Sequence, residues 1–428
     1  MGLTINKCRT IVNRIILTGV LAISVLSLFA QDWPQWRGPN RDNISVETGL
    51  NLNWTNTKPA VLWVFREAGA GYSSPVIVGT TLYCQGAADG SDFAFALDTE
   101  TGKLKWKQRL GELFVMDRGD GPRGSITVEG DYLYLIRGGG QIHCLAAADG
   151  KLIWQKDFRK DFGGNIMSRT DWGYSESPLV DGDLVICTPG GEQGAVVALN
   201  KMTGDMVWRS SEWSDLGGYS SPVVAIVDGI RMYIQLTRKG VAGFAAKDGK
   251  LLWSAAVSGN NTAAIPTPIY RDHIVYVTSG YNAGCAGIKL TKEGDRFRAD
   301  TLYTNKNISN HHGGVVLVGN YIYGYSDAPG WVCQDLLTGE KVWQHRESEP
   351  GKGAVIYVDG HLLMQSERTG TITSVKASPE GWEEYGRIEI PERSAVTSRD
   401  NMVWTHPVVS HGKLYMRDHN LLFCLDLN

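Results

Sequence analysis

An eleven-residue segment, ALDTETGKLKW from Ala96 to Trp106, recurs along the chain. It returns as CLAAADGKLIW (Cys144 to Trp154), ALNKMTGDMVW (Ala198 to Trp208), GFAAKDGKLLW (Gly243 to Trp253) and CQDLLTGEKVW (Cys333 to Trp343). A unit repeated at a steady interval constrains the fold more than any single residue, because no copy can bury its apolar faces alone and each must stack on its neighbours. The turn glycines Gly102, Gly150, Gly204 and Gly249 lie about 45 to 54 residues apart, the length of a four-stranded propeller blade. A radial array also lets 428 residues form one domain, since each blade packs mainly on its neighbours. Frequent Gly, Trp and Tyr with no sustained helical periodicity suit short strands joined by tight turns.

Each unit follows one template. A lead-in such as YSSPVIV (Tyr72 to Val78) predicts an innermost strand, and TLYCQG (Thr81 to Gly86) a second. A loop of changing length precedes a third strand ending at Ala96 and Leu97, a glycine-bearing turn follows, and Lys103 to Trp106 open the outer strand. The template predicts an all-β, eight-bladed β-propeller of four-stranded antiparallel blades. The blades begin near Ser73, Ser125, Ser177, Ser221, Thr267, Gly313, Gly353 and Thr405. The fifth and seventh lack the Trp, with Tyr303 and Tyr385 near its place. The eighth stops at CLDLN (Cys424 to Asn428), and VLWVF (Val61 to Phe65) has the missing outer-strand character. An N-terminal strand is therefore expected to complete the last blade and close the ring. The recurrent Trp residues read as packing between blades.

Lys7, Arg9 and Arg14 precede an apolar run from Ile15 to Phe29 that is short for a membrane span, and Ala30 offers a small residue for cleavage. This predicts a signal peptide over 1–30, an extended segment over 31–60 and a propeller over 61–428. Leu28 stands where a small residue is preferred, so an uncleaved anchor is the alternative. Cleavage before Gln31 would leave no terminal Cys, which argues against a lipid anchor. It would also take the formal net charge from -3 to -6, which disfavours nucleic acid or an anionic membrane as partner. Six cysteines would remain. Cys144, Cys333 and Cys424 share the repeat position of Ala96 and Ala198, so they read as small packed residues on separate blades rather than disulfides.

The repeat with its Ala-Leu-Asp, Thr-Gly-Lys and Trp resembles the pyrroloquinoline quinone (PQQ) propeller repeat of quinoprotein dehydrogenases and of the B lipoprotein of the outer-membrane barrel assembly machinery. The opening DWPQWRGPNRD (Asp32 to Asp42) resembles the start of a group of secreted bacterial PQQ-repeat proteins. The resemblance implies the propeller fold across the expected mature chain; function must come from the site. In the dehydrogenases an acidic residue in a Gly-rich loop binds the calcium that polarises the quinone, and TPGGEQGAVVAL (Thr188 to Leu199), with Glu192, is similar but shorter in spacing. The family's adjacent Cys-Cys pair is absent, as is any Cys-x-x-Cys-His haem motif. The cofactor is left open: PQQ with calcium is the family's offer, these departures count against it, and no haem is expected.

In a propeller the loops before strand one and between strands two and three share one face, and the short hairpin turns share the other. The repeats differ on the first face, where binding usually resides. Its candidate ligand residues at the axial mouth are Tyr72, Arg123, Tyr174, Glu176, Tyr219, Asn261, His311, His312, Lys352 and His406, joined by Glu192. Arg137, Arg238, Tyr281, Asp327 and Arg368 occupy loops between strands two and three, and Trp404 stands beside the last lead-in. His311, His312, His406 and Glu176 form a possible metal shell, but no zinc motif supports it and no metal is assigned. Trp33 and Trp36 are read as packing, with a plug or a lining of the mouth as the alternative. No Gly-x-Ser-x-Gly elbow occurs, and no catalytic residue is assigned. The expected function is a secreted or periplasmic scaffold that binds a small-molecule ligand or an envelope protein, with no integral span after cleavage. The alternative is a PQQ- and calcium-dependent dehydrogenase of an alcohol or sugar. There Glu192 or Glu176 with Asn261 would hold calcium, and Arg123 or Lys352 would face the quinone.

Overall fold

The computed structural model describes Met1 and residues 31–167, 172–396 and 398–428. The expected signal peptide and Cys8 lie outside the described residues. Eight four-stranded antiparallel blades follow one another around a ring, the seventh extended by the parallel strand Ile44–Ser45. Their inner strands are Val76–Val78, Thr127–Glu129, Leu179–Asp181, Val223–Val227, Ile269–Arg271, Val315–Val318, Gly353–Val358 and Val408–Ser410, each at or just after the lead-in read from sequence. Leu421–Asp426 pairs antiparallel with Val61–Phe65, so the N-terminal strand is the outer strand of the eighth blade and the ring has no seam of unpaired strands.

Within a blade the middle strands are covered on both faces and the outer strand on one. In the first blade Thr81–Ala88 and Ser91–Asp98 are buried along most of their length, whereas Leu104–Glu112 alternates towards solvent. The repeated motif follows from how the outer strand meets the next blade. The indole N–H of Trp63, Trp106, Trp154, Trp208 and Trp343 donates to a carbonyl of the following blade, at Thr99, Ala147, Lys201, Ala246 and Ser378. In four of these pairs the ring lies on the turn glycine of that blade. At Gly204, with φ +73°, an added Cβ would stand 2.6 Å from the Trp154 ring. The turn glycine, preceded by Thr or Asp, is therefore the seat for a neighbour's indole as well as a turn. Tyr303 takes the same role in blade five, donating to Leu336 O at 2.7 Å and covering Gly339. Trp253 departs from the rule, since its Nε1 points to Met232 Sδ at 3.2 Å within its own blade. Tyr385 also departs: its hydroxyl donates to Glu383 beside it.

The cysteines acquire a physical reason here. Cys144, Cys333 and Cys424 are paired across the strands with Trp154, Trp343 and Trp63, as Ala96 and Ala198 are with Trp106 and Trp208. An indole crossing the neighbouring strand leaves room only for a small residue, and at Gly243 a Cβ would stand 2.1 Å from Trp253 Nε1. All six described cysteines are buried free thiols.

Residues 31–47 form a strap through the centre of the ring that touches every blade. Trp33 bridges Ile77 of blade one, Pro34 O accepts from Val128 N of blade two, and Trp36 Nε1 donates to Thr267 Oγ1 of blade five at 3.0 Å. Arg41 donates to Ser177 O and Pro178 O of blade three and to Pro222 O of blade four. Arg37 reaches Val315 O of blade six, and Ile44–Ser45 runs parallel to Gly353–Val358 of blade seven. Ser410 of blade eight donates to Gln31 O, and Glu47 accepts from the backbone of His411 and Gly412. Both arginines are buried without a carboxylate at ion-pair distance among the described residues, so carbonyl oxygens at the inner strand ends compensate their charge. Trp33 is core packing, whereas Trp36 is part-buried and faces the axial mouth.

Candidate functional site at the axial mouth

Above the strap, on the face of the unlike loops, lies a cavity of about 400 Å³. Every blade lead-in contributes to it, because the inner strands converge on the axis and deliver their preceding residues to one mouth. Trp36 is its floor, with its ring 4.5 Å from that of His406. Tyr72, Trp172, Tyr219, Tyr281 and Trp404 supply aromatic walls, and Met116 and Met402 line the side where two loops meet.

Seven of the residues read from sequence line this cavity: Tyr72, Arg123, Tyr219, His311, His312, Lys352 and His406. Tyr281 and Trp404 line it too. Four stand apart. Tyr174 is buried with its hydroxyl on Pro189 O at 3.0 Å. Glu176 is fully buried, takes the Thr188 N–H at 2.8 Å, and lies within the field of the strap's Arg41. Glu192 and Asn261 are exposed outside the cavity, because their loops turn away from the axis. Arg137 and Arg238 are committed to Asp92 and Asp215, each at 3.0 Å.

The polar side of the cavity is built from two groups, one around Asp327 and one around Glu367, led by the adjacent residues His311 and His312. His311 and His312 both line the cavity but pair with different carboxylates. His311 Nε2 is 2.6 Å from Asp327 Oδ2, and Lys352 Nζ is 3.0 Å from the other oxygen of that carboxylate. His312 Nε2 is 3.2 Å from Glu367 Oε2, the same oxygen that accepts from Trp404 Nε1 at 2.8 Å. The His406 Nε2–H donates to His312 O at 2.7 Å. Burial pushes Asp327 up, but the hydrogen bond from His311 and the charges of His311 and Lys352 outweigh it and hold the carboxyl below its usual range. Burial raises Glu367 against the pull of Lys352 and the Trp404 hydrogen bond. Burial holds His312 far below the usual imidazole range, reinforced by the charges of Lys352, His406 and His311, and brings His406 down to about 3. The cavity thus presents the His312 and His406 imidazoles, whose charged form burial disfavours, beside the Glu367 carboxyl that burial raises, groups suited to hydrogen bonding with hydroxyl and carbonyl groups.

Two loops distant in sequence clasp each other at the rim. Arg118 pairs with Asp400 at 2.6 Å, and Arg399 pairs with Asp117 at 3.1 Å. Beneath them the Tyr72 hydroxyl donates to Arg118 O at 2.7 Å. Sequence reading missed Met116, Arg118, Trp172, Glu367, Asp400 and Met402. Most lie several residues before an inner strand, where no repeat register reaches, and only the Asp-Arg and Arg-Asp dipeptides of these loops gave a signal.

A calcium-held quinone places demands on Glu176, Glu192 and Asn261 that their positions do not meet. The Glu176 carboxyl is buried beside the strap and raised by burial to about 8, while Glu192 and Asn261 face solvent. Among the described residues no group of three or more His, Cys, Asp or Glu side chains gathers at metal-binding distance. The calcium arrangement therefore does not fit these residues.

A family model described as outer membrane protein assembly factor BamB matches residues 96–345. A tetrathionate hydrolase of Acidithiobacillus ferrooxidans is 24% identical over 253 residues, covering 56% of this chain and 47% of that protein. An outer membrane protein assembly factor BamB of Yersinia pestis is 26% identical over 231 residues, covering 50% of this chain and 53% of that one. The chain thus spans about half the length of these curated relatives. Among solved structures, BamB from Moraxella catarrhalis superposes with a TM-score of 0.58 at 15% identity, covering 85% of this chain and 98% of that one. A quinohemoprotein alcohol dehydrogenase from Comamonas testosteroni does so with a TM-score of 0.62 at 12% identity, covering 92% and 80%. At such identities the superpositions establish the fold alone. The family match, by contrast, runs through more than half of the sequence and through the repeats that build the blades, and by it the chain belongs to the BamB family of PQQ-like β-propellers.

Proposed function

We propose that this propeller is a periplasmic or secreted protein that binds a small polar ligand in its axial-mouth cavity. The observation that carries the reading is the convergence of all eight lead-ins on one concave site. It has aromatic walls and a polar side on which His311, His312, Lys352 and Glu367 gather, with Asp327 pairing His311 and Lys352. A cavity of about 400 Å³ is of the size that small-ligand sites use. The compartment is supported by the basic start and apolar run of residues 1–30 and by the outer-membrane name of the family. No helix among the described residues is long and apolar enough to cross a membrane. The relatives' names offer two further readings, assembly of an outer-membrane protein and hydrolysis of tetrathionate, which enter as outcomes of the test.

The test is a thermal-shift screen of the purified protein against sugars, sugar acids, aromatic acids, tetrathionate, and PQQ with calcium. A binder at 100 times its Kd raises stability by about 2.7 kcal/mol. The reading predicts a binder whose effect is lost in Trp404→Ala and weakened in Glu367→Gln. No binder, or one indifferent to both changes, would sink it. Recovery of a stoichiometric envelope protein that these changes leave bound would favour the assembly reading.

A further inference from the structure

Three cations line the axial cavity, and their surroundings differ. Arg118 has Asp400 at 2.6 Å and Lys352 has Asp327 at 3.0 Å. Arg123 has no carboxylate at ion-pair distance among the described residues. Its Nη1 donates to Gly121 O at 2.8 Å and its Nη2 to Gly119 O at 2.7 Å. A guanidinium carries five N–H donors, so three have no protein partner among the described residues. The group also sits over the rings of Tyr72 and Phe114, at 5.8 and 5.4 Å, which restricts its plane. Burial lowers its pKa from the ordinary arginine value, outweighing the pull of Tyr72, Tyr219, Asp120 and Asp92.

Blade two, which Arg123 leads, lies across an eight-membered ring from blade six, which His311 and His312 lead. Trp36, Tyr219 and Trp404 also line the cavity, aromatic side chains that suit a ring compound. We infer that the cavity takes a ring compound bearing one carboxylate, with that carboxylate held by the free edge of Arg123 and hydroxyl or carbonyl groups held by the His312, Glu367 and Lys352 wall. The planar fork matches a carboxylate through paired N–H donors, which an ammonium cannot reproduce. A single unneutralised cation fits one carboxylate better than the several of PQQ. The inference rests on the cavity being the ligand site. Sugar acids and hydroxylated aromatic acids share the required chemistry, and the experiment separates them.

Glucuronate and 4-hydroxybenzoate are titrated calorimetrically at pH 7, each beside its primary amide. One acid is expected to bind about 10-fold or more tighter than its amide, the value of a charge-assisted pair, and whichever acid does so identifies the class. In Arg123→Gln the acid's advantage should shrink to about 2-fold or less while the amide is held as before. An amide that binds as well as its acid, or an acid advantage that survives Arg123→Gln, overturns the inference. If Arg123→Gln does not fold, the acid and amide comparison on the unaltered protein decides alone. If none of the four compounds binds but a neutral sugar or PQQ does so in a Trp404-dependent manner, the carboxylate assignment falls and the ligand cavity stands. If no compound of either set binds, both fall.

Discussion

Replacing Arg41 by Met tests whether the strap holds the inner ends of the blades together. The side chain is buried, and its guanidinium donates to Ser177 O at 3.2 Å, to Pro222 O at 2.9 Å, to Pro178 O and to Gln35 Oε1 at 2.9 Å. Pro178 O also accepts from Thr127 Oγ1, so it keeps a donor when Arg41 is lost. Ser177 O and Pro222 O do not gain one from Met, and each buried orphan costs about 1–3 kcal/mol. Relief of the guanidinium's own burial, which lowers its pKa from 12.5 to about 9, offsets part of this. The expected net loss is about 3 kcal/mol, read as a lower urea midpoint at unchanged slope. Arg41→Lys should fall between the two, since an ammonium keeps the charge but cannot reach three carbonyls in one plane. A midpoint within about 0.5 kcal/mol of the unaltered protein for Arg41→Met would refute the view that the strap ties blades three and four.

Gly204→Ala should destabilise by about 2–4 kcal/mol, because it places a Cβ 2.6 Å from the Trp154 ring at φ +73°; the same change at Gly182, which has open space, should cost only the backbone strain of about 1 kcal/mol. His143→Gln tests acid stability. Burial first, then the charge of Arg137, brings His143 down to about 4 from 6.5, so below pH 6.5 the unfolded chain takes up a proton that the native state refuses. The associated stability is complete above pH 6.5 and is lost as pH falls towards 4, about 3 kcal/mol in all, and denaturation midpoints of His143→Gln should lack that share of the decline. A second pH effect has the opposite sign: burial raises Glu176 to about 8 from 4.5, so its contribution is complete below pH 4.5 and declines up to pH 8, and Glu176→Gln should flatten stability measured between those values.

The blades were legible because their information is local. Alternation and a turn glycine specify a strand pair within about a dozen residues, and the Trp at a fixed offset specifies how one blade meets the next. The same locality predicted the closing strand Val61–Phe65, whose partner lies at the far end of the chain but whose Trp matches the outer strands of blades one to four and six. The face of the cavity followed from topology, which is why the lead-in residues Tyr72, Arg123, Tyr219, His311, His312, Lys352 and His406 came together there. What stayed hidden depends on contacts without a repeat. Arg118 and Asp400 meet across 282 residues, and Glu367 joins the cluster through a loop inside blade seven. Glu176 shows the limit of counting: it precedes an inner strand as Arg123 does, but the strap passes over it and turns it into a buried partner of the ring's centre. Asn261 shows another, since Asn260 folds its loop back through Ala263 and Ser279 and leaves its neighbour facing solvent.

Amide hydrogen exchange with and without the tightest binder of the screen measures directly whether the axial cavity is where a ligand is held. Protection is predicted at residues 116–123, 311–312, 352, 367 and 400–406, the segments that line the cavity, with the turn face around Gly102, Gly150 and Gly204 unchanged. Protection confined to the turn face or to the outer strands, with the cavity segments exchanging as in the free protein, would contradict it.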